Sequence, residues 1–227
     1  MYKIREKLAM NNAELKQNGP ITIVAFGDSI TQGVTYGKID YEDVYWNRLR
    51  RKINAVRDYV PVNVINAGIE GATATASIER MDKQVFAHNP DLIIVCFGLN
   101  DINGGLEEYL ASLRIIFERI QEKNIDLIFM TPNMLNTYVA SDTDQKFFAY
   151  AHKTAQMQTE GKMDLYMEKA KALAFEMGVC VCDCYEKWKE WSKTQDITML
   201  LANRINHPKI EFHELFAQSL FDILFDA

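Results

Sequence analysis

A serine, a glycine-bearing loop, an asparagine and a histidine stand at four separate places in this 227-residue chain, each where acyl chemistry could use it. Ser29 lies in ITIVAFGDSITQG (residues 21–33), an apolar run with β-branched residues that breaks at Gly27 and so reads as a buried strand ending in a tight turn. A serine hydroxyl is a weak nucleophile and needs a base, and the oxyanion formed by its attack needs donors fixed in advance. Gly71, in GIEGATA, and Asn100, in GLND, follow two further apolar runs. A backbone N–H at a glycine and an asparagine amide would supply such donors. Gly-Asp-Ser alone is a common turn tripeptide, and Asp or Ser often caps a helix without chemistry. The case for a nucleophile therefore rests on these loops meeting.

Four histidines are available as the base. His88 precedes Asn89 and Pro90 at a predicted helix end, a placement that suits a cap or a solvated ring. His152 falls in an irregular stretch and reads as a surface residue. His213 sits in a helical pattern beside Phe212 and Leu215, where it is expected packed or exposed. His207 directly precedes Pro208, and the rigid turn that follows is suited to aiming one imidazole into a cleft. His207 is the candidate base.

Other chemistries fit less well. Asp28 and Asp101 could be paired carboxylates on a metal or a shared proton, but bracing of their own loops through backbone N–H groups is the expected role. No H-E-x-x-H or clustered His/Asp spacing points to a metal, and residues 27–33 lack the lysine and second glycine of a phosphate-binding loop. No cofactor and no metal are expected. Cys180, Cys182 and Cys184 alternate in VCVCDCY, which predicts one face of one strand; with Cys96 they read as free thiols rather than as a disulfide framework or a zinc site.

The elements that must carry these residues alternate along the chain. Strands are predicted at 21–27, 61–67, 91–97, 125–130 and 179–183, and helices at 40–58, from the Gly71 loop to about His88, and at 106–123, 163–177, 185–191 and 212–225. Ile4, Leu8 and Leu15 suggest a short N-terminal helix ended by Gly19 and Pro20. Residues 133–161 lose periodicity and read as a functional loop or partly helical cover, with Asn133, Asn136 and Tyr138 as candidate lining residues. Strand–helix alternation implies a parallel sheet covered on both faces, with the serine, glycine and asparagine loops at one edge.

Composition agrees with one α/β domain over 1–227, residues 1–19 forming a helical extension: 48% of residues are hydrophobic and 25% charged. A net charge of -6 excludes the basic footprint of a nucleic-acid binder. The first residues lack the apolar core of a secretory signal, and no run is long and apolar enough to span a bilayer. A soluble cytoplasmic protein without membrane insertion is expected.

Gly27-Asp28-Ser29, the Gly71 loop, Gly98-Leu99-Asn100-Asp101 and His207-Pro208, in that order, resemble the SGNH hydrolases, also called the GDSL esterase/lipase family. The resemblance runs from Ile21 to the C-terminal helix. It implies a flavodoxin-like three-layer α/β/α fold with a five-stranded parallel sheet and hydrolysis of small-molecule acyl esters. Ser29 would be the nucleophile and one oxyanion donor, Gly71 rather than Gly68 and Asn100 the other donors, and His207 the base. Where the family carries an aspartate, three positions before the histidine, this chain has Arg204. Arginine cannot orient an imidazolium and would repel it. Asn203 or Asn206 could steady the ring instead, as asparagine does in cysteine-protease arrangements, leaving a Ser-His dyad or an atypical triad; Asp183 and Asp196 are further conceivable acids. The reading is a serine esterase for short acyl esters, carbohydrate acetyl esters among them. Its alternatives are a non-catalytic ligand-binding module and an acyltransferase with the same site.

Overall fold

The computed structural model describes residues 2–225. Five strands form, β1 (Ile21–Gly27), β2 (Val62–Gly68), β3 (Leu92–Cys96), β4 (Asp126–Met130) and β5 (Cys180–Cys182). All pair in parallel in the order β2-β1-β3-β4-β5, which is the flavodoxin-like arrangement. Every residue of β3 is buried. Its continuous apolar run follows from that position, because a central parallel strand covered on both faces has no side that meets water.

Strand order reverses at β1, with β2 on one side and β3 on the other. Such a reversal opens a crevice beyond the carboxyl ends of the two diverging strands, where open α/β sheets bind their ligands. The helices on either side close the core. The Tyr45–Asn54 helix packs on the His213–Phe225 helix, with Tyr45, Phe216 and Trp188 fully buried. Trp46 and Trp188 are packing residues, and Trp191 packs at a tilt against Trp188 and edge-on against Phe212.

Several predicted elements differ in extent, each for a local reason. The single N-terminal helix is two, Tyr2–Ala9 and Asn12–Asn18, because Asn11 and Glu14 form a reciprocal capping box that starts the second one. The helix predicted over 40–58 forms only over Tyr45–Asn54. The Asp40 side chain accepts the N–H groups of Glu42 and Asp43 and offers the backbone a turn in its place. Within 133–161, Phe148–Thr159 is a helix whose buried face includes Thr154 and Gln158, so its apolar period is broken. Cys184 is not on the strand. β5 stops at Cys182, Asp183 caps the Cys184–Ser192 helix through the Glu186 N–H, and the Cys182 and Cys184 sulfurs come within 3.6 Å as free thiols. Among the described residues no helix is long and apolar enough to cross a membrane.

Candidate active site

The site is built from three strand ends and one returning loop. β1 stops at Gly27, where a Cβ would lie 2.2 Å from Thr31 Oγ1 and 2.5 Å from the Cys96 carbonyl, so only glycine allows the chain to turn there. Asp28 caps the short Ser29–Gln32 helix by accepting the Ile30 N–H at 2.9 Å. Ser29 is its first residue, and its N–H is one of the donors that a helix start leaves without an intrahelical partner. Arg80 locks this corner from behind, donating to the Gly27 carbonyl at 2.9 Å and the Ala67 carbonyl at 2.6 Å, with its guanidinium over the Phe26 ring. Nothing in its sequence setting separates it from the solvated arginines around it.

Beyond β2, Gly71 has φ of +75° and open space where a Cβ would go, so its conformation and not its size calls for glycine. Gly68 differs: a Cβ there would meet the Gln32 backbone at 2.3 Å, which makes it a packing residue. Beyond β3, Asn100 donates one amide hydrogen to the Ala72 carbonyl at 2.9 Å and keeps the second. Asp101 accepts the Ala74 N–H at 2.8 Å and so ties the Gly71 loop to the Asn100 loop. Asp28 and Asp101 thus brace their loops. Burial pushes their carboxyls up, to about 7 for Asp28, where the nearby Asp101 charge adds, and to about 6 for Asp101.

The fourth loop carries His207. Its Nε2 lies 2.8 Å from Ser29 Oγ, across 178 residues of sequence. Asn203 holds the loop shut: its Oδ1 accepts the N–H groups of Ile205, Asn206 and His207, each at 3.0 Å. Asn133 and Asn136, expected to line the site, are buried supports for this loop. Asn133 Nδ2 donates to the Asn206 carbonyl at 2.8 Å and the Asn136 N–H to the Ile205 carbonyl at 2.8 Å.

Nδ1 of His207 faces the side-chain nitrogen of Asn203 at 3.3 Å. Asn206 accepts from that same nitrogen at 2.8 Å and so supports Asn203, not the ring. Burial pulls the imidazole down to about 4. Arg204 is turned away, with φ of +60° and its guanidinium on Asp142, so it neither orients nor repels the ring. Asp183 is held by Thr131, Lys171 and the Glu186 N–H, and Asp196 by Tyr138. The remaining histidines lie outside this cluster. His152 is exposed, His88 closes a 3-10 turn, and His213 is buried with Nδ1 accepting the Tyr45 N–H.

Ser29, Gly71, Asn100 and His207 line a cavity of about 220 Å³ together with Tyr150 and Ile205. It shares Phe147, Glu70, Asn203 and His207 with a groove of about 500 Å³ that runs to Tyr36 and Lys38. Glu70, Phe147 and Tyr150 carry no signal in the sequence, since they sit in stretches without periodicity. Such a cluster pairs a hydroxyl with an imidazole beside several hydrogen-bond donors, the equipment of acyl transfer. No group of three His, Cys, Asp or Glu among the described residues could hold a metal ion.

The model of the GDSL-like Lipase/Acylhydrolase family matches residues 25–215, which spans all four loops. The chain belongs to this family. It is a carboxylic ester hydrolase. Among the family's characterised relatives, the acetylxylan esterase of Geobacillus stearothermophilus is 25% identical over 179 residues, covering 74% of each chain. The crystal structure of Axe2, an acetylxylan esterase from the same organism, superposes with a TM-score of 0.72 at 22% identity, covering 91% of this chain and 95% of that one. LAE5, an alpha/beta hydrolase enzyme from the metagenome of Lake Arreo, gives 0.70 at 20% identity, over 90% and 94%. Catalytic mutants of Axe2 are at a serine and at an aspartate three positions before a histidine. Arg204 stands at the same interval before His207.

Proposed function

We propose that this GDSL-family hydrolase removes short acyl groups, acetyl above all, from carbohydrate hydroxyls. Ser29 is the nucleophile, His207 the general base and then the acid, and the N–H groups of Ser29 and Gly71 with the Asn100 amide form the oxyanion hole. The observation that carries the reading is the 2.8 Å contact between Ser29 Oγ and His207 Nε2, which lies within the reach a base needs.

In this scheme Oγ attacks the ester carbonyl as its proton passes to Nε2, and the carbonyl electrons become an oxyanion held by the three donors. The C–O bond then breaks, the alcohol leaves with the proton from Nε2, and an acyl-serine remains. Water repeats the sequence, giving up a proton to Nε2, and the acid departs as Oγ is reprotonated.

Two features support a small acyl group on a sugar. The inner cavity of about 220 Å³ is small for a long chain. The adjoining groove carries Tyr36, 56% exposed, and Phe147, 41% exposed, whose ring faces suit the apolar face of a sugar, beside the hydrogen-bonding groups of Lys38, Lys146 and Glu70. The acetylxylan esterase relative points the same way. A ligand-binding module would have no need of the Ser29–His207 contact. We take residues 1–227 as one domain, and the four free thiols suit the reducing cytoplasm.

The test is acetate release from acetylated xylooligosaccharides, compared with 4-nitrophenyl acetate and octanoate, for wild type and Ser29→Ala. Preference for acetyl esters that is abolished in the variant supports the proposal; turnover of octanoate above acetate contradicts the acetyl assignment. Acyl products on an added sugar acceptor would redirect it to a transferase.

A further inference from the structure

Asn203 does more than close the histidine loop, because its amide can be oriented from its partners. Oδ1 collects three backbone N–H groups, from Ile205, Asn206 and His207. Turned over, the amide would press its own NH₂ against those three donors, so the oxygen must face the loop. The NH₂ group therefore faces the other way. One of its hydrogens goes to Asn206 Oδ1 at 2.8 Å, and the other points at His207 Nδ1, 3.3 Å distant.

A ring nitrogen that receives a hydrogen bond must carry its lone pair there. In a neutral imidazole the proton then sits on the other nitrogen. That nitrogen is Nε2, 2.8 Å from Ser29 Oγ. An Nε2 that already holds a proton donates to the serine and cannot receive its proton, so turnover passes only through the minor tautomer with the proton on Nδ1. The same fault arises in the serine-protease template when its aspartate becomes asparagine: geometry persists, the tautomer is wrong, and turnover falls about ten-thousand-fold.

We infer that Asn203 is a positioning residue that holds neutral His207 with its proton on Nε2, so that this chain is a restrained esterase which Asn203→Asp would release. The inference rests on the esterase reading above. An aspartate at this position has the same shape. One carboxylate oxygen keeps the three backbone donors, the second accepts from Nδ1–H, and the Asn206 amide rotates to present its NH₂ in place of its oxygen. The triad would then run through position 203, one residue earlier than the family's interval, while Arg204 stays on Asp142.

The decisive experiment is ¹⁵N NMR of histidine-labelled protein at neutral pH, with His207 assigned by its loss in His207→Gln. The ring is neutral there, its pKa having been drawn down to about 4. Wild type is expected to show a protonated Nε2 and a bare Nδ1, and Asn203→Asp the reverse. With the reversal, kcat/KM for 4-nitrophenyl acetate should rise at least about a hundredfold, within the ten-thousand-fold ceiling of the template. A wild-type His207 protonated on Nδ1 overturns the inference, and so does a reversed tautomer without a rate gain in an enzyme that turns over the ester. Should Asn203→Asp not fold, the wild-type spectrum decides alone. If the tautomers are as stated and neither protein hydrolyses any ester, the assignment of Asn203 stands and the esterase reading fails.

Discussion

The guanidinium of Arg204 closes on the carboxylate of Asp142, with Nη2 at 2.9 Å and Nε at 3.1 Å, and makes no hydrogen bond to His207. Its Nη1 spans the carbonyls of Met199 and Leu201. The residue at the interval where an acid would stand is thus a fastener between the histidine loop and the cover segment. Arg204→Ala should leave kcat within about tenfold of wild type, because the group does not meet the reacting atoms, and should raise KM as the loop loosens. His207→Ala, by contrast, should lower kcat by at least about a hundredfold, the low end of what a general base contributes, because the wild-type ring is already held in its less productive tautomer. Steady-state kinetics on 4-nitrophenyl acetate checks both, and equal losses would assign Arg204 a direct part in the reaction.

Asn100 spends one amide hydrogen on the Ala72 carbonyl, which fixes the second toward the cavity it lines. Asn100→Ala is expected to lower kcat by about a hundred- to a thousandfold, the usual loss for one oxyanion donor, with KM little changed. A change in KM alone would show that the amide binds the ground state and not the oxyanion.

Asp28 gives a stability prediction with a definite sign. Burial lifts its carboxyl from 3.8 to about 7 in the folded chain, so folding favours the protonated form. That contribution is complete below about pH 4 and is lost as pH rises through about 7, amounting to at most about 4 kcal/mol. Asparagine does not titrate and can still accept the Ile30 N–H through its oxygen. The thermal midpoint of Asp28→Asn should therefore gain on wild type between about pH 4 and pH 7 and hold level above that. A difference that stays flat with pH would mean that Asp28 is ionised in the fold throughout.

Much of this is legible in the sequence, and the reason is periodicity. A parallel sheet buried on both faces writes its strands as apolar runs, and β1 and β3 announce both themselves and the loops that follow them. Ser29, Gly71, Asn100 and His207 converge because parallel strands deliver their carboxyl ends to one edge. Contacts that depend on one side chain's direction were not legible. Arg204 reads as a charge beside the histidine until its positive φ is known, and Asn133 and Asn136 read as lining until they prove to be supports. Phe147 lies in a stretch whose helix hides polar residues on its buried face, so no pattern marked it.

Phe147 bears on the substrate. It borders both the inner cavity and the groove and is 41% exposed. Burial of apolar surface between ring and sugar contributes on the order of 1 kcal/mol, so Phe147→Ala should raise KM for acetylated xylooligosaccharides roughly three- to tenfold while leaving 4-nitrophenyl acetate nearly unaffected. Equal effects on both substrates would place the ring in the acyl pocket and not on the sugar.

The role proposed for Ser29 is the most direct point of attack. Intact-mass and peptide mass spectrometry after exposure to a fluorophosphonate should find one adduct, on Ser29, absent in Ser29→Ala and formed far more slowly in His207→Ala. No adduct on the folded wild-type protein, or an adduct on any other residue, would contradict the assignment of Ser29 and His207 as the reacting pair.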